Sequence, residues 1–296
     1  MENALATYED LSADVKAHTV LQIGGWNHFG QPAIFDRETP NLLGNDFRTM
    51  LQWFKDILVD GQVPTGKILS YEINADAWHE QTALTSQDHL TFYFSRPANN
   101  ANGQLETSTQ ALRDTVVPYT YDPQNPVASI GGEVLLKTAN QIGSRIQPQP
   151  DDRDDVISFI SAPLTQTQHL LGEISVTLNV ATDVDDTAFV AKVMGVNPDG
   201  RAFNIRTTIS TITAQHPDYQ AGTTTQLTLK MLPIDGQLAA GSRIRLDITS
   251  SDFPQYQIHS NFRGNQSAQT ETRLAHQQLI LNQREPSTLS LPVISN

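Results

Sequence analysis

Apolar residues recur over the first sixteen positions at helical spacing, Leu5, Tyr8, Leu11 and Val15 falling three or four apart with acidic residues between them. This predicts a helix over 1–16. A short apolar run from Val20 to Ile23 follows and stops at Gly24-Gly25, the signature of a buried strand ending in a tight loop. Because a helix leads straight into this strand, the sheet it belongs to is expected to be incomplete within the chain. Asn45 is placed to cap a second helix, in which Phe47, Met50, Leu51, Phe54 and Leu58 form one apolar stripe and which Gly61 ends. Such a stripe calls for a partner surface.

From about residue 67 the period changes from helical to two, in Leu69–Ile73 and again in Leu90–Phe94. Residues 98–150 are rich in Asn, Gln, Gly and Pro, and stretches such as Tyr119–Pro126 and Gln147–Pro150 read as an extended connection. Beyond Asp155 the alternation returns: Ile174 to Val180, Phe203 to Ile209, Leu227 to Met231 and Ile244 to Ile248 each place an apolar or β-branched residue at every second position. Half-buried antiparallel strands separated by turn clusters at Asn197–Gly200 and Asp235-Gly236 predict a β-sandwich, with a jelly roll the commonest closure. The expected fold is therefore mainly β, a C-terminal jelly-roll β-sandwich preceded by a short α/β segment.

Composition narrows the partners. The 296 residues are 38% hydrophobic, enough for a real core, and 32 acidic against 19 basic residues give a net charge of −13. That balance disfavours nucleic acid and anionic lipid as partners. Without cysteine there is no thiolate nucleophile, disulfide or Cys-based zinc site. No apolar run approaches the roughly 18 residues needed to span a bilayer, and the start of the chain is not a signal peptide, so a cytoplasmic protein is expected.

Candidate chemistry lies past the first strand. An open α/β sheet carries its reactive groups in loops beyond the carboxyl ends of its strands, which places Trp26, His28 and Phe29 in such a loop. The segment Ile23-Gly-Gly-Trp-Asn-His28 resembles the histidine loop of the acyl esterases and X-prolyl dipeptidyl peptidases, serine hydrolases that join an α/β-hydrolase domain to a C-terminal jelly roll. The resemblance continues through Leu51–Phe54 and Ala75–Trp78, Arg153–Val156 with Phe159, Ser161 and Pro163-Leu164, Thr182–Phe189, Val196–Ala202, Ala240–Leu246, Ser250–Pro254 and Pro286–Val293. It implies that His28 is the catalytic general base; beside it Trp26 and Phe29 are apolar residues suited either to line an acyl pocket or to serve as packing. It also implies a hydrolase remnant over 1–66 and a galactose-binding-like sandwich over 67–296, the latter including the connection 98–150.

The family's Gly-x-Ser-x-Gly nucleophile elbow does not occur, and no acid-bearing loop precedes the first helix. The resemblance thus implies a truncated member, inactive alone, whose parent reaction hydrolyses small esters or X-Pro amides through an acyl-serine. Two other functions fit the residues: a non-catalytic β-sandwich binding module, and a subunit that completes a hydrolase in trans or pairs with its own copies. No cofactor or metal is expected. The acidic runs Asp151–Asp155 and Asp183, Asp185, Asp186 lack an EF-hand pattern and read as a solvated linker and turn. His79, His89, His169, His216, His259 and His276 show no paired ligand spacing and are assigned no site. Asn265-Gln-Ser267 is an acceptor pattern for glycosylation that matters only in a secreted protein.

Overall fold

The computed structural model describes residues 2–27, 30, 32–34, 38–42, 47–98, 102–133, 142–150 and 152–294. His28, Phe29 and Asn45 lie outside the described residues. The helix expected over 1–16 is two helices, α1 (Glu2–Glu9) and α2 (Ala13–Lys16). Between them Ser12 adopts extended backbone, and its hydroxyl accepts the Val15 amide at 3.4 Å, so a residue that caps well interrupts a stripe that would otherwise run on.

A small sheet follows, built from β1 (Val20–Ile23), β2 (Lys67–Glu72) and β3 (Ala77–Gln81) in that order. β1 and β2 run parallel with Val20 opposite Lys67, and β3 returns antiparallel to β2. Parallel neighbours need a long crossover, and α3 (Phe47–Leu58) lies within it. Gly61, at φ +67°, ends the crossover helix as expected. Among the described residues β1 pairs only with β2, so its other edge is unpaired. The stripe on α3 is likewise uncovered: Met50, Leu51, Phe54 and Leu58 are exposed, as are Trp53, Val59 and Val63.

The remainder is a β-sandwich. Its strands are β4 (Asp88–Ser95), β5 (Gly103–Glu106), β6 (Thr115–Tyr121), β7 (Ile157–Ser161), β8 (Gln168–Gly172), β9 (Ser175–Thr182) and β10 (Ala188–Val196). They continue with β11 (Ala202–Thr211), β12 (Thr225–Lys230), β13 (Ile234–Leu238), β14 (Arg243–Thr249), β15 (Ala275–Leu281) and β16 (Thr288–Val293). The hydrogen-bonded path runs β11-β10-β14-β7-β5-β4-β16-β9-β15-β6, with β12 on β9 and β13 on β8. All these pairings are antiparallel except β5 with β7. Buried Leu178, Phe189, Leu227, Leu246 and Leu289 fill the interior, and Phe94 packs on Phe159 with ring centres 4.7 Å apart.

Residues 98–150 are not merely a connection, because they contribute β5 and β6. In β6, Val117, Tyr119 and Tyr121 are buried while Val116, Pro118 and Thr120 are exposed, a period of two. Pro118 is tolerated because β6 is an edge strand that, among the described residues, pairs only with β15. In β11 the phase is reversed from expectation: Ala202 and Asn204 are buried and Phe203 and Ile205 half-buried. The Asn204 amide oxygen accepts the Arg145 amide at 2.7 Å, so a polar residue faces the covering loop while its apolar neighbours are left to a cavity.

Candidate functional site

The loop that leaves β1 folds back onto itself. A side chain at Gly24 would collide with the indole of Trp26, so the glycine lets the ring lie over the strand end. Trp26 Nε1–H donates to the Leu42 carbonyl at 3.0 Å, and its ring stands 5.4 Å from Trp78, which in turn meets Tyr71 edge-on at 5.4 Å. Trp78 Nε1–H donates to Asn41 O at 2.9 Å, and the Tyr71 hydroxyl donates to Asp76 at 2.6 Å. Trp26 is thereby held as a half-buried wall with its only polar atom occupied.

That wall closes one side of a cavity of about 620 Å³ between the β1 loop and the sandwich. Ile23 and Asn27 line the same side, Phe203 and Ile205 of β11 and the whole of β13 line the other, and Gly132 and Gly143 form part of the rim. The rim is a main-chain clasp: Gly132 and Gly143 exchange two hydrogen bonds of 2.7 and 2.8 Å, and the Ser144 amide donates to Ala33 O at 2.8 Å. A Cβ at Gly143 would overlap Ala33, which explains glycine there. Of the sequence-proposed site residues, the structure thus places Trp26 on a cavity of ligand size.

A second junction joins the small sheet to the sandwich. The chain leaving β2 lies along β13, with Ile73 N–H donating to Asp235 O at 3.0 Å and Gln237 N–H to Ile73 O at 2.8 Å. Next to it the buried Glu72 carboxylate is held by two imidazoles, His79 of β3 at 3.0 Å and His169 of β8 at 2.6 Å. Ser70 Oγ–H donates to Asp235. Burial pushes the Asp235 carboxyl up, and the Glu72 charge adds to this against a hydrogen bond from Ser70. No local pattern signals this constellation, since residues 72, 79, 169 and 235 meet only through the fold.

The acidic runs find protein partners. Asp183 holds the His276 ring at 2.6 Å, Asp185 pairs with Arg273, and Asp186 accepts from Thr213 and lies 3.4 Å from His259. Arg153 pairs with Asp155 at 2.7 Å. Among the described residues no group of three acidic or imidazole side chains is arranged to hold a metal ion. No described helix is long and apolar enough to cross a membrane.

Residues 60–290 match the family model of the X-Pro dipeptidyl-peptidase C-terminal non-catalytic domain. The chain belongs to this family. It is 30% identical over 241 residues to the cocaine esterase of Rhodococcus sp. (strain MB1 Bresler), a match that covers 77% of this chain and 42% of the esterase. Among solved structures, an aminopeptidase from a marine sediment Thaumarchaeota archaeon superposes with a TM-score of 0.76 at 20% identity, over 95% of this chain and 50% of that one. An α-amino acid ester hydrolase superposes at 0.77 and 19% identity, covering 98% and 53%. The structural likenesses establish the fold, and the chain spans about half the length of these relatives. The family match begins at residue 60, so Trp26 and the β1 loop lie ahead of the matched X-Pro dipeptidyl-peptidase C-terminal segment.

Proposed function

We propose that this chain is the C-terminal portion of a serine acyl hydrolase that cleaves small esters or X-Pro amides, in which His28 is the general base and Trp26 and Phe29 belong to the acyl pocket. The reading divides the chain into a hydrolase remnant over 1–66 and a jelly-roll sandwich over 67–296. The nucleophilic serine and the acid would come from polypeptide outside these 296 residues, in the same protein or in a complementing subunit. The observation that carries the reading is the cavity of about 620 Å³, because Trp26 and Asn27, next to residue 28 in the chain, line one side of it and the sandwich supplies its opposite wall. Two surfaces support it: the unpaired edge of β1 suits a parallel hydrolase strand, and the uncovered stripe of α3 suits the flank of such a sheet.

The test is complementation. The chain alone, assayed with p-nitrophenyl acetate and Gly-Pro-p-nitroanilide beside a fluorophosphonate probe, is expected to show neither turnover nor label. Co-expression with a cocaine esterase segment ending before its own histidine strand is expected to give turnover that His28→Ala abolishes. Turnover by the pair that survives His28→Ala, or a stable pair that takes the label but never turns over, overturns the role of His28.

A further inference from the structure

Within the sandwich β5 stops early. It pairs with β4 from Gln104 to Glu106 and with β7 from Gly103 to Leu105, whereas β4 continues past Tyr93 to Asp88. Beyond Glu106 no described strand fills the place between β4 and the segment that follows β7. The opening is a cavity of about 780 Å³, which shares no lining residue with the cavity beside Trp26. Its floor is the sandwich interior: Phe92 and Leu105 belong to the packed core, and Leu90 and Leu164 pack against it. Its rim is polar, and the side-chain amide of Gln104 and the hydroxyls of Thr107 and Thr165 have no hydrogen-bond partner among the described residues. Arg243, at the start of β14, supplies a charge. Its guanidinium donates one N–H from Nη1 to the carbonyl of Ser161, another lining residue, at 2.9 Å, which fixes it against the cavity wall. Acidic residues outnumber basic ones by 32 to 19, yet among the described residues Arg243 forms no ion pair. The lining carboxylate, Glu106, is drawn back along β5, because its Oε1 accepts the hydroxyl of Ser95, which stands opposite Gln104, at 3.3 Å.

We propose that this cavity binds an organic carboxylate with an apolar body, its carboxylate on Arg243 and its body against Leu90, Phe92, Leu105 and Leu164. The deciding contrast is between floor and rim: a ligand without an acid group leaves the guanidinium unused, and a cation finds only Glu106, which Ser95 already engages. A guanidinium meets a carboxylate through paired charge-assisted hydrogen bonds, and one already anchored on a carbonyl loses little freedom in making them. The volume is in the range of small-molecule sites. A net charge of −13 repels anions at long range, so the apolar body has to supply much of the affinity. Binding should therefore tighten roughly fourfold with each methylene that reaches the floor. The proposal goes beyond the hydrolase reading and does not rest on it.

The experiment is calorimetric titration of the whole chain with hexanoate and octanoate, with octan-1-ol and octylammonium as neutral and cationic counterparts. Octanoate should bind more tightly than hexanoate, and Arg243→Gln should weaken it about tenfold while leaving octan-1-ol within about twofold. Thr165→Trp, an exposed change on the rim, should weaken octanoate and octan-1-ol together by narrowing the mouth. Octanoate affinity unchanged in Arg243→Gln, or tighter binding of octylammonium than of octanoate, overturns the proposal. Loss of octanoate binding in Leu51→Glu with Leu58→Glu also overturns it, because the ligand would then sit on the exposed stripe of α3. A wild-type measurement decides the matter even if a variant misfolds: the terminal methyl of bound octanoate should show NMR cross-relaxation to the methyls of Leu90, Leu105 and Leu164, and its absence rejects the site. None of these readouts requires turnover, so failed complementation counts against the hydrolase reading alone.

Discussion

Two aspartates in this molecule titrate in opposite directions for the same reason, the balance between burial and donors. At Asp186 burial pushes the carboxyl up, but the His259 imidazole 3.4 Å away and hydrogen bonds from the Thr213 hydroxyl and amide outweigh it and hold the group below the usual range. A folded value below the unfolded one means stability that is present above roughly pH 4 and is lost as pH falls through the folded value. Urea midpoints measured against pH should therefore drop on acidification in the wild type, and Asp186→Asn should flatten that limb while costing about 1–3 kcal/mol at neutral pH. Asp235 has the opposite sign. Its raised folded value means stability declines as pH rises from the unfolded toward the folded value, so Asp235→Asn should match or exceed the wild type in urea midpoint at pH 7. A clear loss of midpoint would show that the carboxylate itself contributes to the fold. Such residue-level chemistry was only partly legible in the sequence. Trp26 was visible because a glycine pair ended an apolar run, whereas Asp235 was read only as part of a turn signal with Gly236, because its meaning depends on Ser70 and Glu72 from a strand 165 positions away in the Ser70 pair.

At the scale of elements, alternation predicts β2, β4, β9, β12 and β14, each with an apolar face. It failed in β6, where Pro118 and the Asn- and Gln-rich surroundings masked the buried row of Val117, Tyr119 and Tyr121. It also mistook the phase of β11, because burial there is set by a loop and a cavity on its two faces rather than by one core. The apolar stripe over 1–16 predicts a single helix, but Ser12 caps a new one and divides it in two. The short β5 is tightly constrained: a Cβ at Gly103 would strike the Phe159 ring, so Gly103→Ala should cost about 1–3 kcal/mol in a denaturant titration through overpacking. Between elements, the Glu72 carboxylate joins β2 to β3 and β8 through two imidazoles that are themselves partly exposed. Glu72→Ala should lower stability by about 1–3 kcal/mol and raise amide exchange at Ile73 and Gln237 more than in the sandwich interior. Uniform exchange across both regions would mean that Glu72 does not tie the two sheets together.

On the scale of the whole molecule, an acidic surface is combined with an uncovered apolar helix. The charge of −13 keeps copies apart at low ionic strength, and salt shortens the range of that repulsion to about 10 Å near 0.1 M. Raising the salt should therefore increase self-association in sedimentation velocity. Leu51→Glu with Leu58→Glu should suppress the effect without changing the urea midpoint by more than about 0.5 kcal/mol, since both side chains are exposed. Association unchanged by the pair of substitutions would place the sticky surface elsewhere.

The junction between small sheet and sandwich has one more property. At Ile73 with β13, and again at Ala33 with Ser144, peptide groups join the two parts directly, beside the side-chain contacts of Ser70 with Asp235 and Glu72 with His169. Peptide groups are the same in every sequence, so these hydrogen bonds tolerate exchange of most side chains around them, provided a glycine stays at 143 where a Cβ would overlap Ala33. A sandwich grafted from a distant relative onto this small sheet should close along the same seams so long as its backbone path is kept. Chimeras crossed over in the β2–β3 turn would then inherit a ready-made interface while exchanging the wall, and hence the selectivity, of the cavity.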